Sequence, residues 1–251
     1  MVQTLSSPRY SRNWARLPID HKDPSLLLYL PLWSPYSDMA GATTIYSYDK
    51  NRHSGAITGT VWGLQGRTFD GLDDVIDLGD NNLFSFGNGT TDTPFSLMGW
   101  FKVTDVVALR PLAGKSALNA AEYGLWWLDA SSIRVHIVDA SLAVQCTRIM
   151  DVAPSLGVWL FVGVTYNGVG GASAGNGITM YLNGAVRAST ATNNANYVAM
   201  ENGTGSFMIG SRTEADIWHK GTSGDTWLYS KVLTANEIQQ NYQSTKWRYG
   251  L

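Results

Sequence analysis

Two kinds of chemistry are within reach of the residue types in this 251-residue chain: carboxylate catalysis and the binding of sugars by aromatic rings. Hydrolysis of a glycosidic bond needs two carboxyl groups that flank the bond. The chain has only four Glu, namely Glu122, Glu201, Glu214 and Glu237, and they are scattered. We therefore expect no catalysis. Loss of activity on changing Glu122 or Asp129 would be the sign of an enzyme.

Aromatic side chains in polar loops could bind a carbohydrate by stacking on its rings. Trp126 and Trp127 are neighbours on a predicted strand, so they point to opposite faces, and one of them is expected on an outer or concave surface. The candidate glycan-binding residues are Trp127, Tyr197, Trp218 and His219. The alternative is that each of these rings packs in the core or in an interface.

Short β-strands are the elements that would position these side chains. Residues 158–166 alternate with apolar side chains on both faces, which is typical of a central strand, and residues 178–182 follow as its partner after a glycine-rich loop. Two runs within residues 64–78 flank the turn Asp70-Gly71, so they are predicted to pair as a hairpin.

Further short strands recur at intervals of about 8 to 12 residues, which is typical of an antiparallel sandwich. They are predicted at residues 26–32, 95–103, 123–128, 133–138, 142–149, 207–209 and 226–229. Residues 34–63 are interpreted as a polar loop. Thr234 and Glu237 form a capping box, which predicts one short helix that runs to about Gln243.

Residues 1–24 contain three prolines and show no helical or strand period, so we interpret them as an irregular arm before a single domain at residues 25–251. Such a segment gains order only against a surface. We expect a neighbouring subunit to provide that surface, which favours a homo-oligomer or a component of a larger assembly. The alternative is that the arm folds back on its own domain.

Charge and hydropathy argue against several classes of partner. The formal net charge of −2 gives no pull toward nucleic acid or an anionic membrane. The longest apolar run, near residues 156–166, is too short to span a bilayer, and the first residues lack the apolar core of a signal peptide. The single Cys146 is predicted to be a buried strand thiol. Localisation stays open, and delivery on a virion surface is one hypothesis.

Six segments in the order of the chain resemble a known family. They are L-Q-G-R-T-F-D-G-L-D-D-V-I-D-L, F-S-L-M-G-W-F-K-V, W-L-F-V-G-V-T-Y-N-G, I-T-M-Y-L-N-G, F-M-I-G and W-L-Y-S-K-V-L-T-A-N-E-I. Together they resemble the laminin-G-like, concanavalin A-like jelly roll that pentraxins and legume lectins share, over residues 26–245. The resemblance implies an all-β fold of two antiparallel sheets with one short C-terminal helix, which meets ligands at rim loops or on the concave sheet.

The resemblance also implies a structural calcium ion, because relatives often tie the first long loop to the last strand through such an ion. The corresponding positions are Asp49 and Asp225. Carboxylate oxygens on loops suit this cation. Relatives often carry an acidic doublet at the second position, whereas this chain has Gly224 before Asp225. The alternative is that both aspartates are turn residues.

Function has to be argued from sites, because this scaffold serves lectins, hydrolases and structural modules alike. We expect a non-catalytic interaction module that decorates the surface of a larger assembly such as a phage virion and binds glycans. A free lectin-like protein and, less favoured by the carboxylates, a glycoside hydrolase of the same fold are the alternatives.

Overall fold

A computed structural model of the chain describes residues 23–34, 43–105, 109–117, 120–128, 132–151, 154–212 and 217–251. Within these residues the chain forms two antiparallel sheets and one α-helix, so the predicted all-β jelly-roll sandwich is confirmed. The predicted arm at residues 1–24 lies outside the described residues except for its last two positions. Among the described residues, no helix has the length and apolar character needed to cross a bilayer.

The described residues contain seventeen strands and the helix α1 (Ala235–Thr245). In chain order the strands are β1 (Leu26–Pro31), β2 (Thr44–Tyr46), β3 (Ser54–Thr58), β4 (Val61–Gly63), β5 (Gly66–Asp70), β6 (Val75–Asp77), β7 (Phe95–Val103), β8 (Arg110–Lys115), β9 (Tyr123–Leu128), β10 (Ser132–Asp139), β11 (Val144–Met150), β12 (Leu160–Tyr166), β13 (Ile178–Leu182), β14 (Ala185–Val186), β15 (Ser189–Thr192), β16 (Phe207–Ile209) and β17 (Lys220–Tyr229).

The strands divide into an eight-stranded and a nine-stranded sheet. The eight-stranded sheet has the order β14-β13-β12-β7-β17-β5-β4, and β1 also pairs with β17. The nine-stranded sheet has the order β15-β11-β10-β9-β8-β16-β6-β3-β2. Strand β12 lies between β13 and β7, as predicted for a central strand, and within the described residues β1 pairs with β17 alone.

The main core lies between the two sheets. Alternate residues of β12, such as Val162 and Val164, meet Leu125 and Trp127 of the opposite sheet's β9 in one buried cluster. Burial of each such side chain contributes roughly 1.5–3 kcal/mol. Cys146 on β11 belongs to the same cluster, so the predicted buried strand thiol is confirmed.

A second apolar cluster covers the outer face of the eight-stranded sheet. Trp100, Phe161 and Trp227 point away from the main core and are buried beneath the C-terminal segment, which contributes Ile238 of α1 and Tyr249. The two apolar faces seen in the sequence of β12 therefore have two different partners. One face packs on the opposite sheet and the other packs under the chain's C-terminal segment.

The predicted helix is confirmed together with its cap. The Glu237 amide donates to Thr234 Oγ1 at 3.2 Å, and the Thr234 amide donates to a Glu237 carboxylate oxygen at 2.7 Å. This reciprocal pair satisfies amides that the first turn of a helix leaves without partners. It fixes where α1 begins, and the helix then extends two residues beyond the predicted end.

The predicted hairpin at residues 64–78 is wrong, because its two strands belong to different sheets. Strand β5 pairs with β17 and β4, whereas β6 pairs with β3 and β16. The Asp70-Gly71 turn does form, with Gly71 at a φ of +84°. It carries the chain across the edge of the sandwich, so that Phe69 and Ile76 enter the common core from opposite sheets.

The interpretation of residues 34–63 as one loop is also wrong, because β2, β3 and β4 lie there. These strands have three to five residues and largely polar or glycine-rich sequences. Strand β8 was not predicted either, since its sequence R-P-L-A-G-K combines charge, proline and glycine, although all six residues are buried. Sheet pairing, not local preference, makes these segments extended.

Candidate functional site

The outer face of the nine-stranded sheet carries an unusual group of side chains at its centre. On β9, Tyr123, Leu125 and Trp127 point into the core, so Gly124 and Trp126 point outward. Trp126 belongs to neither apolar cluster, yet it is only 2% exposed. Polar side chains, not a second layer of apolar ones, surround this ring.

Two arginines flank the Trp126 ring. Arg134 on β10 is the direct cross-strand partner of Trp126, and Arg212 follows β16 on the other side. The guanidinium carbon of each lies 5.4 Å from the ring centroid, which is the geometry of a cation–π contact. The flat indole therefore fixes the position of two positive charges on this face.

His136 completes the group, and we call Trp126, Arg134, His136 and Arg212 the Trp126 cluster. The imidazole centroid lies 4.8 Å from the Trp126 ring, and its Nε2 is 3.4 Å from Ser116 Oγ. Burial, followed by the charges of the two arginines, lowers the pKa of His136 to about 3. The imidazole is therefore neutral near pH 7, and it offers a hydrogen bond without adding charge.

The two arginines repel each other, and no carboxylate of the described residues compensates their charges. Burial and the charge of Arg212 lower the pKa of the Arg134 guanidinium, although it stays protonated. Both Nε atoms are buried without a hydrogen-bond partner. Among the residues that the structure describes, neither arginine forms an ion pair. Chemically, the cluster is a cationic group of hydrogen-bond donors on an aromatic ring, and some of these donors have no partner.

Gly124 makes room for this arrangement. A Cβ at this position would lie 2.0 Å from Trp126 Nε1 and 2.8 Å from His136 Nε2. Real Cβ atoms do not approach other atoms so closely, so the indole lies in space that only glycine leaves free. The glycine is thus part of the cluster's geometry.

We expect Gly124→Ala to displace the indole and to lower the free energy of unfolding by about 1–3 kcal/mol, the usual effect of an added methyl in a packed site. Denaturant titration would measure it. Gly163→Ala is the matched control, because it lies on a strand of the other sheet and its Cβ would meet no atom closer than 3.5 Å. Equal losses in both variants would contradict the assigned role of Gly124.

Three of the four predicted glycan-binding residues lie in the interior. Trp127 is 1% exposed and belongs to the main core, so it has no face to offer a sugar. His219 is fully buried, and its ring packs on Phe69 with 5.2 Å between centroids. Neither of the neighbouring tryptophans 126 and 127 lies open on the surface, which corrects the expectation that one of them would.

Tyr197 has a structural role as well. Its hydroxyl donates to Asp92 Oδ2 at 2.9 Å, beside the hydroxyl of Tyr166 at 2.5 Å on the same oxygen. Burial raises the pKa of Asp92, and the phenols partly offset this by stabilising the carboxylate. Trp218 is the one partly exposed member of the predicted set, and its carbonyl accepts from Arg110 at 2.8 Å.

The two predicted calcium ligands do not offer free oxygens to a shared ion. Each Asp225 oxygen already accepts two hydrogen bonds: Oδ1 from Tyr29 and Trp33, and Oδ2 from Arg248 at 2.7 Å and Tyr249 at 3.0 Å. Its charge is neutralised by the Arg248 guanidinium, so a cation here would stand beside another positive group. These residues do not fit the ion.

Asp49 instead stabilises backbone. Its oxygens accept from the amide of Tyr29 at 3.0 Å and from the amide of Asn51 at 2.8 Å. Tyr29 therefore donates its amide to Asp49 and its hydroxyl to Asp225, at 2.9 Å. The calcium ion was expected to join the first long loop to the last strand. In the structure, Tyr29 joins them instead.

A second acidic group follows the Asp70-Gly71 turn. Oxygens of Asp70, Asp73 and Asp74 lie within 4.8 Å of one another. Asp74 accepts the amide of Asp70 at 2.8 Å, and Asp70 accepts the amide of Leu72 at 2.8 Å. Such bonds from aspartate side chains to nearby amides are ordinary turn chemistry.

A family model described as the concanavalin A-like lectin/glucanases superfamily, of the laminin G type, matches residues 69–239. The chain belongs to this superfamily. The resemblance inferred from six short segments is therefore confirmed. A search of the curated proteins finds no match.

Solved structures with the fold of this superfamily include a Trypanosoma rangeli sialidase in complex with a difluoro-KDN compound, with a TM-score of 0.63, 16% identity and coverage of 89% of this chain and 33% of that one. The ligand-binding domain of botulinum neurotoxin serotype D, in complex with N-acetylneuraminic acid, has a TM-score of 0.59, 15% identity and coverage of 87% and 50%. The binding domain of Paraclostridial Mosquitocidal Protein 1 has a TM-score of 0.63, 13% identity and coverage of 90% and 53%.

The identities to these structures are low, so the likeness shows the fold alone. The chain spans between 33% and 53% of the length of these three proteins. The shared part is therefore a domain, and the activities of the whole proteins belong to them.

Proposed function

We propose that this jelly-roll domain is a non-catalytic glycan-recognition module, and that its ligand surface is the outer face of the nine-stranded sheet at the Trp126 cluster. The observation that carries the proposal is the pair of guanidinium groups that lie on one indole of that face and have no ion-pair partner among the described residues. Sugar-binding sites combine an aromatic body with a few oriented hydrogen-bond donors. In the Trp126 cluster the indole is buried, so it serves as the support that holds the two arginines, and the partly exposed arginines supply the donors.

The superfamily supports this assignment. Its name joins lectins with glucanases, and one structural neighbour is a ligand-binding domain in complex with N-acetylneuraminic acid. Rim loops and the concave sheet are the places where the sequence resemblance led us to expect a ligand. The Trp126 cluster lies on a sheet face, and it replaces the dispersed loop residues of the sequence-based prediction.

The carboxylates support a non-catalytic role. Glu122 and Asp80 both contact Lys115 Nζ, at 2.7 Å and 2.8 Å, so their nearest oxygens can be no more than 5.5 Å apart. That separation resembles the pair of a retaining glycosidase. Here the ammonium group fills the space between them, and Glu122 is only 1% exposed. A sugar has no room between these two groups.

A glycan array that holds neutral and acidic sugars tests the proposal directly. We expect the wild-type protein to bind, and we expect Trp126→Leu to lower the affinity at least about tenfold, or ~1.4 kcal/mol, because both arginines lose their platform. Titration calorimetry with the best glycan would measure the difference.

Trp247→Leu is the matched control, because Trp247 is a half-exposed tryptophan on the C-terminal segment that covers the other sheet. It should bind as the wild type does. Thermal unfolding must show that both variants are folded. A wild-type protein that binds no glycan would refute the recognition role, whereas equal binding by the wild type and Trp126→Leu would refute the site.

The assembly role stays a prediction. It was based on the arm at residues 1–24, almost all of which lies outside the described residues. The subunit partners, the homo-oligomer and the virion surface depend on that arm. Light scattering of the full chain, with and without residues 1–24, would test them: an oligomer that becomes a monomer on truncation is the expected result.

A further inference from the structure

Three buried cations among the described residues form ion pairs, and the Trp126 cluster departs from that pattern. Arg110 has Asp105 at 3.3 Å, Lys115 has Asp80 at 2.8 Å, and Arg248 has Asp225 at 2.7 Å. Positive groups that leave water are ordinarily neutralised in this way.

Arg134 and Arg212 are partly buried, and no carboxylate of the described residues pairs with either of them. Since both guanidinium carbons lie 5.4 Å from one ring centroid, they are at most twice that distance apart. The repulsion between them is strong enough to lower the pKa of Arg134 further than burial alone. The structure therefore concentrates positive charge at one point of an otherwise acidic chain of net charge −2.

We infer that the Trp126 cluster binds the acidic group, a carboxylate or a sulfate ester, of an anionic glycan. This inference rests on the proposed glycan-recognition role and names the class of ligand. An anion between the two arginines would neutralise charges that the described residues leave without a carboxylate partner.

The chemistry of the arginines fits this ligand. A guanidinium group is planar and presents parallel N–H donors that match both oxygens of a carboxylate, and stacking on an aromatic ring holds that plane in place. Trp126 provides the ring for both groups. His136 is buried and neutral beside the same ring, so it adds no charge to the two arginines.

The extent of the charged surface favours a single acidic group over a polyanion. Nucleic acids and similar polymers are bound through long stripes of lysine and arginine. Among the described residues, the Trp126 cluster contains two arginines and one neutral histidine around a single ring. A terminal sugar that carries one acid matches this local charge.

Binding of three trisaccharide-sized probes by titration calorimetry tests the inference: a glycan ending in N-acetylneuraminic acid, the same core ending in a sulfated galactose, and the neutral core. We expect the folded full chain to bind one or both acidic probes at least tenfold more tightly than the neutral core. Raising the salt concentration from 50 to 500 mM should weaken the acidic complexes and leave any neutral one unchanged.

Arg134→Gln and Arg212→Gln remove the charge and keep most of the side-chain length, and each should reduce the affinity for the acidic probe at least tenfold. Arg134→Lys should restore part of it. The matched control is Arg148→Gln on β11, because Arg148 is the cross-strand partner of the core residue Val135 and its guanidinium already donates to Ser189. This control should bind as the wild type does.

The outcomes distinguish the anion inference from glycan recognition itself. Neutral and acidic probes bound equally well, with both arginine variants unimpaired but Trp126→Leu impaired, would overturn the anion inference and leave glycan recognition standing. No binding of any probe would overturn both. Binding of a random single-stranded oligonucleotide more tightly than of any sugar, lost in the same arginine variants, would also overturn the inference.

Discussion

Replacing Asp225 with alanine is expected to destabilise the protein by about 3–5 kcal/mol, because the change leaves a buried positive charge without its partner. Asp225 is fully buried on β17. Arg248 donates to it at 2.7 Å, and this arginine is itself almost completely covered. Guanidine denaturation would measure the change in the free energy of unfolding.

The loss of stability would also include the other hydrogen bonds that Asp225 accepts. The hydroxyls of Tyr29 and Tyr249 and the indole N–H of Trp33 also donate to this carboxylate. Hydrogen bonds to a charged acceptor are worth roughly 1.5–3 kcal/mol each, although their energies are not additive. Strand β1 and the C-terminal segment are thus attached to β17 partly through one side chain.

Asp151→Ala is the control for this experiment, because Asp151 is exposed and has Thr190 as its hydrogen-bond partner. It should change the free energy of unfolding by less than about 0.5–1 kcal/mol. A small effect of Asp225→Ala would contradict the charge-pair argument. We also expect a chelator to leave the unfolding temperature unchanged. Stabilisation by added calcium in the wild type, absent in Asp225→Ala, would revive the calcium site.

The second large effect expected is a fall in stability between pH 4.5 and 7 that depends on Glu122. Burial raises the pKa of Glu122 from 4.5 to about 7, and the hydrogen bond and charge of Lys115 offset only part of that rise. In this interval the folded state holds a proton that the unfolded state has lost. The stabilisation is therefore complete below pH 4.5 and disappears as the pH rises through 7.

The pKa of Glu122 is 4.5 in the unfolded state and about 7 in the folded state, and this difference corresponds to about 3 kcal/mol of the free energy of unfolding. Glu122 Oε2 is buried and has no hydrogen-bond partner, which is consistent with a carboxyl group that is costly to ionise. Glu122→Gln cannot titrate, so its stability should change by about 3 kcal/mol less than that of the wild type across this interval. Denaturant titrations at pH 4.5, 5.5, 6.5 and 7.5 would measure both.

Asp74 and Asp92 also have raised pKa values, owing mainly to burial, and they act in the same direction in both proteins. The informative quantity is therefore the difference between the wild type and Glu122→Gln, not either curve alone. Parallel curves would show that the Lys115 ammonium keeps Glu122 ionised throughout, and the prediction would be wrong.

The strands that were predicted correctly from the sequence are those whose own residues are mostly apolar. Strands β7, β9, β13 and β16 were predicted with their observed boundaries, because each is a continuous apolar run with turn residues at its ends. Strand β8 shows the opposite case. Its Arg110 and Lys115 are buried because Asp105 and Asp80 neutralise them, and no local sequence pattern predicts a partner that lies in another segment.

The candidate site could not be predicted from the sequence for a related reason. Trp126 was noticed as one of two adjacent tryptophans, but its role depends on the register that places Arg134 opposite it. Arg212 lies far along the chain and reaches the same ring through the sheet order. The four residues chosen from the sequence were chosen because they are aromatic or polar, and burial could not be predicted from residue type alone.

The pairing of β1 with β17 sets the order of events during synthesis. Leu26 is the partner of Tyr229, and β17 in turn lies between β7 and β5. A ribosome that has released only the first three quarters of the chain therefore displays β1, β5 and β7 with unfilled hydrogen-bonding edges. Contacts between such distant segments slow folding and expose it to aggregation. This domain is expected to complete its fold only once β17 has left the ribosome, and to benefit from a chaperone that holds its early strands apart.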